Sequence, residues 1–136
     1  MELGINIPSK SKTIGRFGEL YAMAYYKRLG IEYTEKCLGT NDDYDLLVNG
    51  SRIEVKTSKA DKNGEHHISI FRNKEKSGET KFDFMFTILI NEYQKRIDCI
   101  KIPAENIKKY IGIAGRLDRF ERIGESLTME TWSKVG

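Results

Sequence analysis

A short stretch near the middle of the 136-residue chain carries two carboxylates and an ammonium group, spaced so that a β-hairpin would place all three side by side. It reads Asp45-Leu-Leu-Val-Asn-Gly-Ser-Arg-Ile-Glu54-Val-Lys56. The Asn49-Gly50 pair lies between two apolar runs and is a strong signal of a two-residue β-hairpin turn. Counting outward from this turn places Asp45 opposite Glu54, so both side chains share one face of the hairpin. Lys56 follows Glu54 by two residues and points to the same face.

Opposed carboxylates at these positions would destabilise a sheet, and each would raise the pKa of the other. A divalent cation relieves both effects, because Mg²⁺ is typically held by one or two carboxylates, waters and phosphate oxygens. A lysine beside the cation adds positive charge where a phosphodiester transition state gathers negative charge. The alternative interpretation is a strand whose outer face is simply polar and solvated, and the spacing alone leaves both open.

Further motifs stand around this hairpin in a particular order. The segment Gly15-Arg-Phe-Gly-Glu19 lies on a predicted helix, the loop Asn41-Asp-Asp-Tyr-Asp45 follows, and Glu54-Val-Lys56 comes next. Over roughly residues 13–102 this order resembles the PD-(D/E)xK nuclease superfamily, including small homing endonucleases and archaeal Holliday-junction resolvases. Tyr44 stands where the superfamily name has proline. The resemblance implies a Mg²⁺-dependent DNA endonuclease, with Mn²⁺ as a substitute ion.

The resemblance also implies a role for each residue of the hairpin. Asp45 and Glu54 would bind the metal, and the backbone carbonyl of Val55 would be a further ligand. Lys56 would position the attacking water or stabilise the phosphorus during attack. Glu19 would join the catalytic group if its helix packs near the hairpin. The alternative for Glu19 is an exposed helical glutamate near Arg16.

Composition is compatible with a nucleic-acid partner. The formal net charge is +3, which is mildly basic. We expect phosphate contacts from basic or hydroxyl side chains in the first residues, after the hairpin and in the charged stretch beyond residue 71. These candidates are Lys10, Lys12, Arg16, Thr57, Ser58, Lys59, Arg72 and Lys74.

The chain is short enough for one domain, which we divide into an arm (1–12), a core (13–111) and a C-terminal extension (112–136). Cys37 and Cys99 lie far apart without metal-binding spacing and are expected to be reduced. There is no apolar run of transmembrane length and no signal-peptide pattern. We therefore expect a cytoplasmic or nucleoid-associated protein that is not secreted.

The remaining elements define an α+β fold with a restriction-endonuclease-like core, in which helices flank a mixed sheet of about five strands. A helix is predicted from Thr13 to Leu29, with Ile14, Phe17, Tyr21, Ala24 and Tyr25 as its buried stripe. Strands are predicted at 31–37, 44–48, 51–58, 67–71, 82–90 and 94–102. The strand at 82–90 is apolar on both faces and is predicted to be central. A short helix is predicted at 103–111, and Leu117, Phe120 and Ile123 are interpreted as a helical stripe with Trp132 packing back onto the body.

Several functions remain compatible with this sequence. Homing or restriction-like cutting, structure-selective cutting and Holliday-junction resolution share one catalytic chemistry, and a fold does not separate them. A non-catalytic nucleic-acid-binding module and a domain with a structural or interaction role are alternatives of other classes, and RNA is also open as a substrate. An endonuclease with one site per subunit is expected to act as a homodimer or higher oligomer, because two strands must be cut.

Overall fold

The structure of the protein is a computed structural model that describes residues 11–35, 44–70, 82–107 and 110–131. It contains two helices, eight strands and one 3-10 turn within these ranges. In chain order they are α1 (Ser11–Arg28), β1 (Tyr33–Glu35), β2 (Leu46–Val48), β3 (Ser51–Lys59), β4 (His66–Ser69), β5 (Phe84–Asn91), β6 (Arg96–Pro103), the 3-10 turn (Ala104–Asn106), β7 (Gly112–Gly115), α2 (Leu117–Glu121) and β8 (Glu125–Thr131).

Six strands form one mixed sheet in the order β1-β2-β3-β5-β6-β8. The β3–β5 pair is parallel and the other four pairs of this sheet are antiparallel. Strands β4 and β7 form a separate antiparallel pair. The predicted α+β fold with a mixed sheet is confirmed, and β5 is central as predicted. The sheet has one strand more than the predicted five or so, because β8 pairs with β6 at its edge.

The β2–β3 hairpin has the predicted turn and register. Asn49 (φ 49°) and Gly50 (φ 81°) both have positive φ, which a type I′ turn requires at its two central residues. Leu46 pairs with Ile53, and Val48 pairs with Ser51. The pairing continues past the start of β2, because the Asp45 amide donates a hydrogen bond of 2.8 Å to the Ile53 carbonyl.

The large sheet separates two hydrophobic cores. One face, called here the α1 face, packs against α1 through side chains that include Ile53, Val55, Phe86 and Ile88. The opposite face, called here the α2 face, packs against β4, β7 and α2 through Met85, Leu89, Ile100 and Ile102 among others. Because side chains alternate along a strand, Glu54, Lys56 and Ser58 of β3 belong to the α2 face.

Some details of the predicted elements were wrong. Ala24 is exposed, whereas Ala22 and Tyr26 are buried against the sheet, so the buried stripe of α1 is rotated from the predicted one. The helix predicted at 103–111 is only a 3-10 turn at Ala104–Asn106 in the part that is described. The extension holds two strands as well as the helix. Phe120 is buried in the second core, and Leu117 and Ile123 pack against it, as the predicted stripe implied.

Cys99 is a buried thiol, whereas Cys37 and Trp132 lie outside the described residues. None of the helices in the described ranges is both long and apolar enough to cross a membrane.

Candidate active site

The hairpin brings Asp45, Glu54 and Lys56 together on the α2 face. One Asp45 oxygen (Oδ2) accepts a hydrogen bond of 2.8 Å from the backbone amide of Val55. This bond holds the Asp45 side chain against β3 beside Glu54, the residue before Val55. The ammonium nitrogen of Lys56 lies 3.5 Å from Oε2 of Glu54. The predicted grouping of two carboxylates and a lysine is therefore present in the structure, although its chemical role stays a prediction.

Glu54 is the electrostatically unusual member of this group. Only 20% of its side chain is exposed, compared with 31% for Lys56. Burial, together with the charge and hydrogen bond of the neighbouring Asp45 carboxyl, raises the pKa of Glu54 from 4.5 to about 8. Lys56 opposes this shift but does not cancel it. Near neutral pH and without a cation, the Glu54 carboxyl therefore keeps its proton.

These features fit a divalent cation. The carboxyl groups of Asp45 and Glu54 are close enough to hydrogen-bond to each other, and carboxylate oxygens are ligands that Mg²⁺ and Mn²⁺ accept. A cation between them would replace the proton on Glu54 and remove the repulsion between the two charges. The side chain of Val55 is buried on the α1 face. The role of its backbone carbonyl as a further ligand stays a prediction.

Glu19 lies on α1, the helix that covers the opposite face of the sheet. Its carboxylate forms an ion pair of 3.0 Å with Arg16, which also binds Glu35 of β1. Glu35 pairs with Leu46, the residue after Asp45, so this charge cluster sits near the start of β2 on the α1 side. The structure thus shows the helical ion pair expected as the alternative, and a catalytic role for Glu19 stays a prediction.

The hydroxyl of Thr57 and the side chain of Ser58 are both buried, and their contact with a phosphate stays a prediction. The Thr57 hydroxyl is buried where α1 meets β3, and a Cβ built on Gly18 would lie 1.7 Å from its oxygen. Ser58 is buried on the other face. Its hydroxyl lies 3.3 Å from Nδ1 of His66 and accepts a bond of 3.2 Å from the His67 amide. Both hydroxyls therefore serve the packing of β3 against its two neighbouring layers.

The basic candidates for phosphate binding have varied positions. Arg16 is about half exposed within its cluster with Glu19 and Glu35, and Lys59 forms an ion pair of 2.8 Å with Glu92. Contact of Arg16 or Lys59 with nucleic acid stays a prediction. Lys10, Arg72 and Lys74 lie outside the described residues, and Lys12 lies in the first turn of α1.

A second group of possible ligands lies in the turn between β3 and β4 and at the start of β4. Ligand atoms of Asp61, Glu65 and His67 lie within 4.8 Å of one another. The same Asp61 oxygen accepts hydrogen bonds from the backbone amides of Asn63 and Glu65, at 2.8 and 3.0 Å. This Asx turn accounts for the local geometry, so we assign no ion to it. The sequence contains these residue types but does not show that the turn brings them together.

An ion pair that the sequence does not indicate joins Arg52, on the same strand as Glu54, to Asp83. Asp83, just before β5, accepts two hydrogen bonds from the Arg52 guanidinium, at 3.2 and 3.0 Å. It also accepts one from the Arg52 backbone amide at 2.7 Å. The backbone of Asp83 returns a bond of 2.8 Å to the Arg52 carbonyl. The guanidinium on this part of β3 is therefore held towards β5.

Comparison with known proteins shows a likeness of fold. No family model and no curated protein matches the chain. Among solved structures, that of the bacterial homing endonuclease I-Ssp6803I superimposes with a TM-score of 0.62 and 22% sequence identity. The match covers 80% of this chain and 77% of the endonuclease chain. The chain therefore has the mixed α+β fold of a bacterial homing endonuclease, and at this identity the likeness concerns the fold alone.

Proposed function

We propose that this protein is a divalent-cation-dependent endonuclease that hydrolyses phosphodiester bonds in DNA and belongs to the PD-(D/E)xK superfamily. The observation that carries the proposal is the Glu54 carboxyl, which is only 20% exposed and lies against both the Asp45 carboxyl and the Lys56 ammonium. A pair of acidic groups that cannot both ionise readily is costly in a bare protein, and a bound cation removes this cost. The fold likeness to a homing endonuclease supports DNA as the substrate.

Each residue of the group has a distinct role in this proposal. Asp45 and Glu54 hold Mg²⁺, or Mn²⁺ as a substitute, through their carboxylate oxygens, with the Val55 carbonyl as a further ligand. When bound, such an ion lowers the pKa of water and offsets the charge of a phosphate. Lys56 adds positive charge beside the scissile phosphate, because its partly exposed ammonium group is free to turn from Glu54 towards a substrate.

The orientation of Asp45 supports a preorganised site. Its side chain is fixed by the amide of Val55, which belongs to the strand that carries Glu54 and Lys56. The two carboxyl groups are therefore held beside each other on the hairpin before any substrate binds. Little reorganisation is needed when the substrate binds, which is the condition under which fixed charges contribute most to catalysis.

Cleavage of a duplex requires two sites of opposite polarity. The hairpin of β2 and β3 supplies one of them in the part of the chain that the structure describes. We propose that two copies associate around a two-fold axis, because symmetry is the ordinary way to place identical sites on both strands.

Cleavage assays test the proposal directly. Supercoiled plasmid and a synthetic four-way junction are incubated with the protein in Mg²⁺ and in EDTA. We expect cleavage in Mg²⁺ but not in EDTA. Asp45→Asn or Lys56→Ala should lower the cleavage rate about a hundredfold or more. Matched controls are Asp118→Asn on α2 and Lys95→Ala in the turn between β5 and β6, both exposed and outside the hairpin, and these should cleave like the wild type.

Binding measured in Ca²⁺ separates catalysis from recognition. The Lys56→Ala variant should still retard DNA in a gel under these conditions. If the wild type binds DNA without cutting any substrate, the protein is a nucleic-acid-binding module instead. If wild type and all variants neither bind nor cut, the nuclease proposal is wrong.

A further inference from the structure

Arg52 stands on the same strand and the same face as Glu54, two residues before it. Positions two apart on a strand are about 7 Å from each other, which is within reach of an arginine side chain. A guanidinium forms strong bidentate pairs with carboxylates. An unrestrained Arg52 would therefore compete with a metal ion for the carboxyl groups of Glu54 and Asp45.

The structure holds this guanidinium away from them. Asp83 binds it through both carboxylate oxygens, with Nε at 3.2 Å and a terminal nitrogen at 3.0 Å. Asp83 precedes Phe84, which pairs with Ile53, so it lies on the side of β3 opposite to β2 and Asp45. Among the described residues, Lys56 is the basic side chain that contacts Glu54, at 3.5 Å.

We infer that Asp83 is a positioning residue of the proposed metal site, which keeps the Arg52 guanidinium off Glu54 and Asp45 so that these carboxyl groups stay open to a divalent cation. The inference rests on the proposed function. It assigns a role in metal binding to a residue that contacts neither the metal nor the substrate.

A role in fold stability alone does not account for the bonds between the Asp83 carboxylate and the Arg52 guanidinium. Two hydrogen bonds of the Arg52 backbone already join the residues: its amide donates to Oδ2 of the Asp83 carboxylate at 2.7 Å, and its carbonyl accepts from the Asp83 amide at 2.8 Å. The guanidinium bonds are additional. Both side chains are 40% exposed, and ion pairs at this exposure add little to stability. The main effect of the guanidinium bonds is therefore the direction in which Arg52 points.

A double-mutant cycle read out by metal binding tests the inference. Mn²⁺ is titrated calorimetrically into the full-length wild type, Asp83→Asn, Arg52→Gln and the double variant, near physiological salt to screen long-range charge effects. We expect Asp83→Asn to lower the Mn²⁺ association constant about tenfold while Arg52 is present, as for other residues that support metal ligands indirectly. In the Arg52→Gln background the same substitution should change it by less than about twofold.

Thermal unfolding without metal is measured for all four proteins, to compare their folding. If Asp83→Asn weakens Mn²⁺ binding equally with and without Arg52, the inference is wrong and the pair is only structural.

Asp45→Asn serves as a reference for the site itself. If the wild type binds no Mn²⁺, or Asp45→Asn binds it equally well, the proposed function fails and the inference fails with it. If Asp45→Asn abolishes binding but the cycle shows no coupling, only the inference fails.

Discussion

The backbone amide of Val55 donates a hydrogen bond of 2.8 Å to the side chain of Asp45. This amide lies between Glu54 and Lys56, so the strand that carries two groups of the site also orients the third. The bond needs an oxygen acceptor but no charge, and the side-chain oxygen of asparagine satisfies it. Substitution can therefore remove the charge of Asp45 while keeping its orientation.

Asp45→Asn should lower the pKa of Glu54 from about 8 towards 4.5, because the Asp45 carboxyl is one cause of the raised value. Part of the shift should remain, since burial is the largest cause. Titration of the side-chain carboxyl carbons by NMR in metal-free buffer measures the change. Asp118→Asn is the matched control and should leave the pKa of Glu54 where it is. An unaltered pKa in Asp45→Asn would contradict the described contact between the two carboxyl groups.

Glu54→Gln should stabilise the metal-free protein at alkaline pH. Folding raises the pKa of Glu54 from 4.5 to about 8, so the unfolded chain loses this proton more readily than the folded one. Wild-type stability is therefore lost as pH rises from about 4.5 to 8, and the variant avoids that loss. We expect the difference in unfolding free energy to grow to at most about 5 kcal/mol, and urea unfolding at several pH values measures it.

The control for this experiment is Glu105→Gln in the exposed 3-10 turn, which should follow the wild type at every pH. Addition of Mg²⁺ or Mn²⁺ should flatten the wild-type profile above neutral pH, because the cation favours the ionised carboxylate. Parallel profiles for wild type and Glu54→Gln would show that Glu54 ionises normally.

Gly18→Ala should destabilise the protein by about 1–3 kcal/mol, as for other overpacked contacts. A Cβ at this position would lie 1.7 Å from the Thr57 oxygen, so α1 must move away from β3. Alanine favours the helix itself, so without this contact the substitution would be stabilising. Combining it with Thr57→Ala removes the nearest atom and should recover part of the loss. Gly15→Ala, where a Cβ meets nothing within 4 Å, is the control in thermal denaturation.

His66 should make the protein sensitive to mild acid. Burial lowers its pKa from 6.5, with its bond to Ser58 and the charge of Asp98 opposing the shift. The unfolded chain then takes up a proton more readily, so stability is lost as pH falls below about 6.5. His66→Gln should reduce the slope of stability against pH in this range, whereas exposed His67→Gln should keep it. Equal slopes in all three proteins would rule out a buried neutral His66.

The parts of the fold that could be predicted from the sequence are those determined by residues close together along the chain. Asn49-Gly50 defines the hairpin turn, and the turn then fixes the register that places Asp45 beside Glu54. The continuous apolar run of β5 predicts a strand buried on both faces without reference to its neighbours. Alternation along β3 likewise predicts that Thr57 and Ser58 point to opposite faces.

The parts that the sequence did not predict depend on partners far along the chain. Alternation does not show that α1 lies close enough over Thr57 to bury its hydroxyl, or that β4 bonds to Ser58. The pairing of β8 with β6 and of β7 with β4 likewise joins segments without a local signal. Arg52 and Asp83 are 31 residues apart, and only the parallel β3–β5 register brings them together.

All three groups of the proposed site lie within one uninterrupted stretch from Asp45 to Lys56. Such a stretch can close before the distant strands have docked, because short loops lose little entropy on closure. The nascent hairpin would then offer two ordinary, solvated acids to any cation present. Glu54 would become shielded from water only when the remaining strands and helices pack around the hairpin. The cation affinity of the hairpin and the acidity of Glu54 should therefore change as the protein folds.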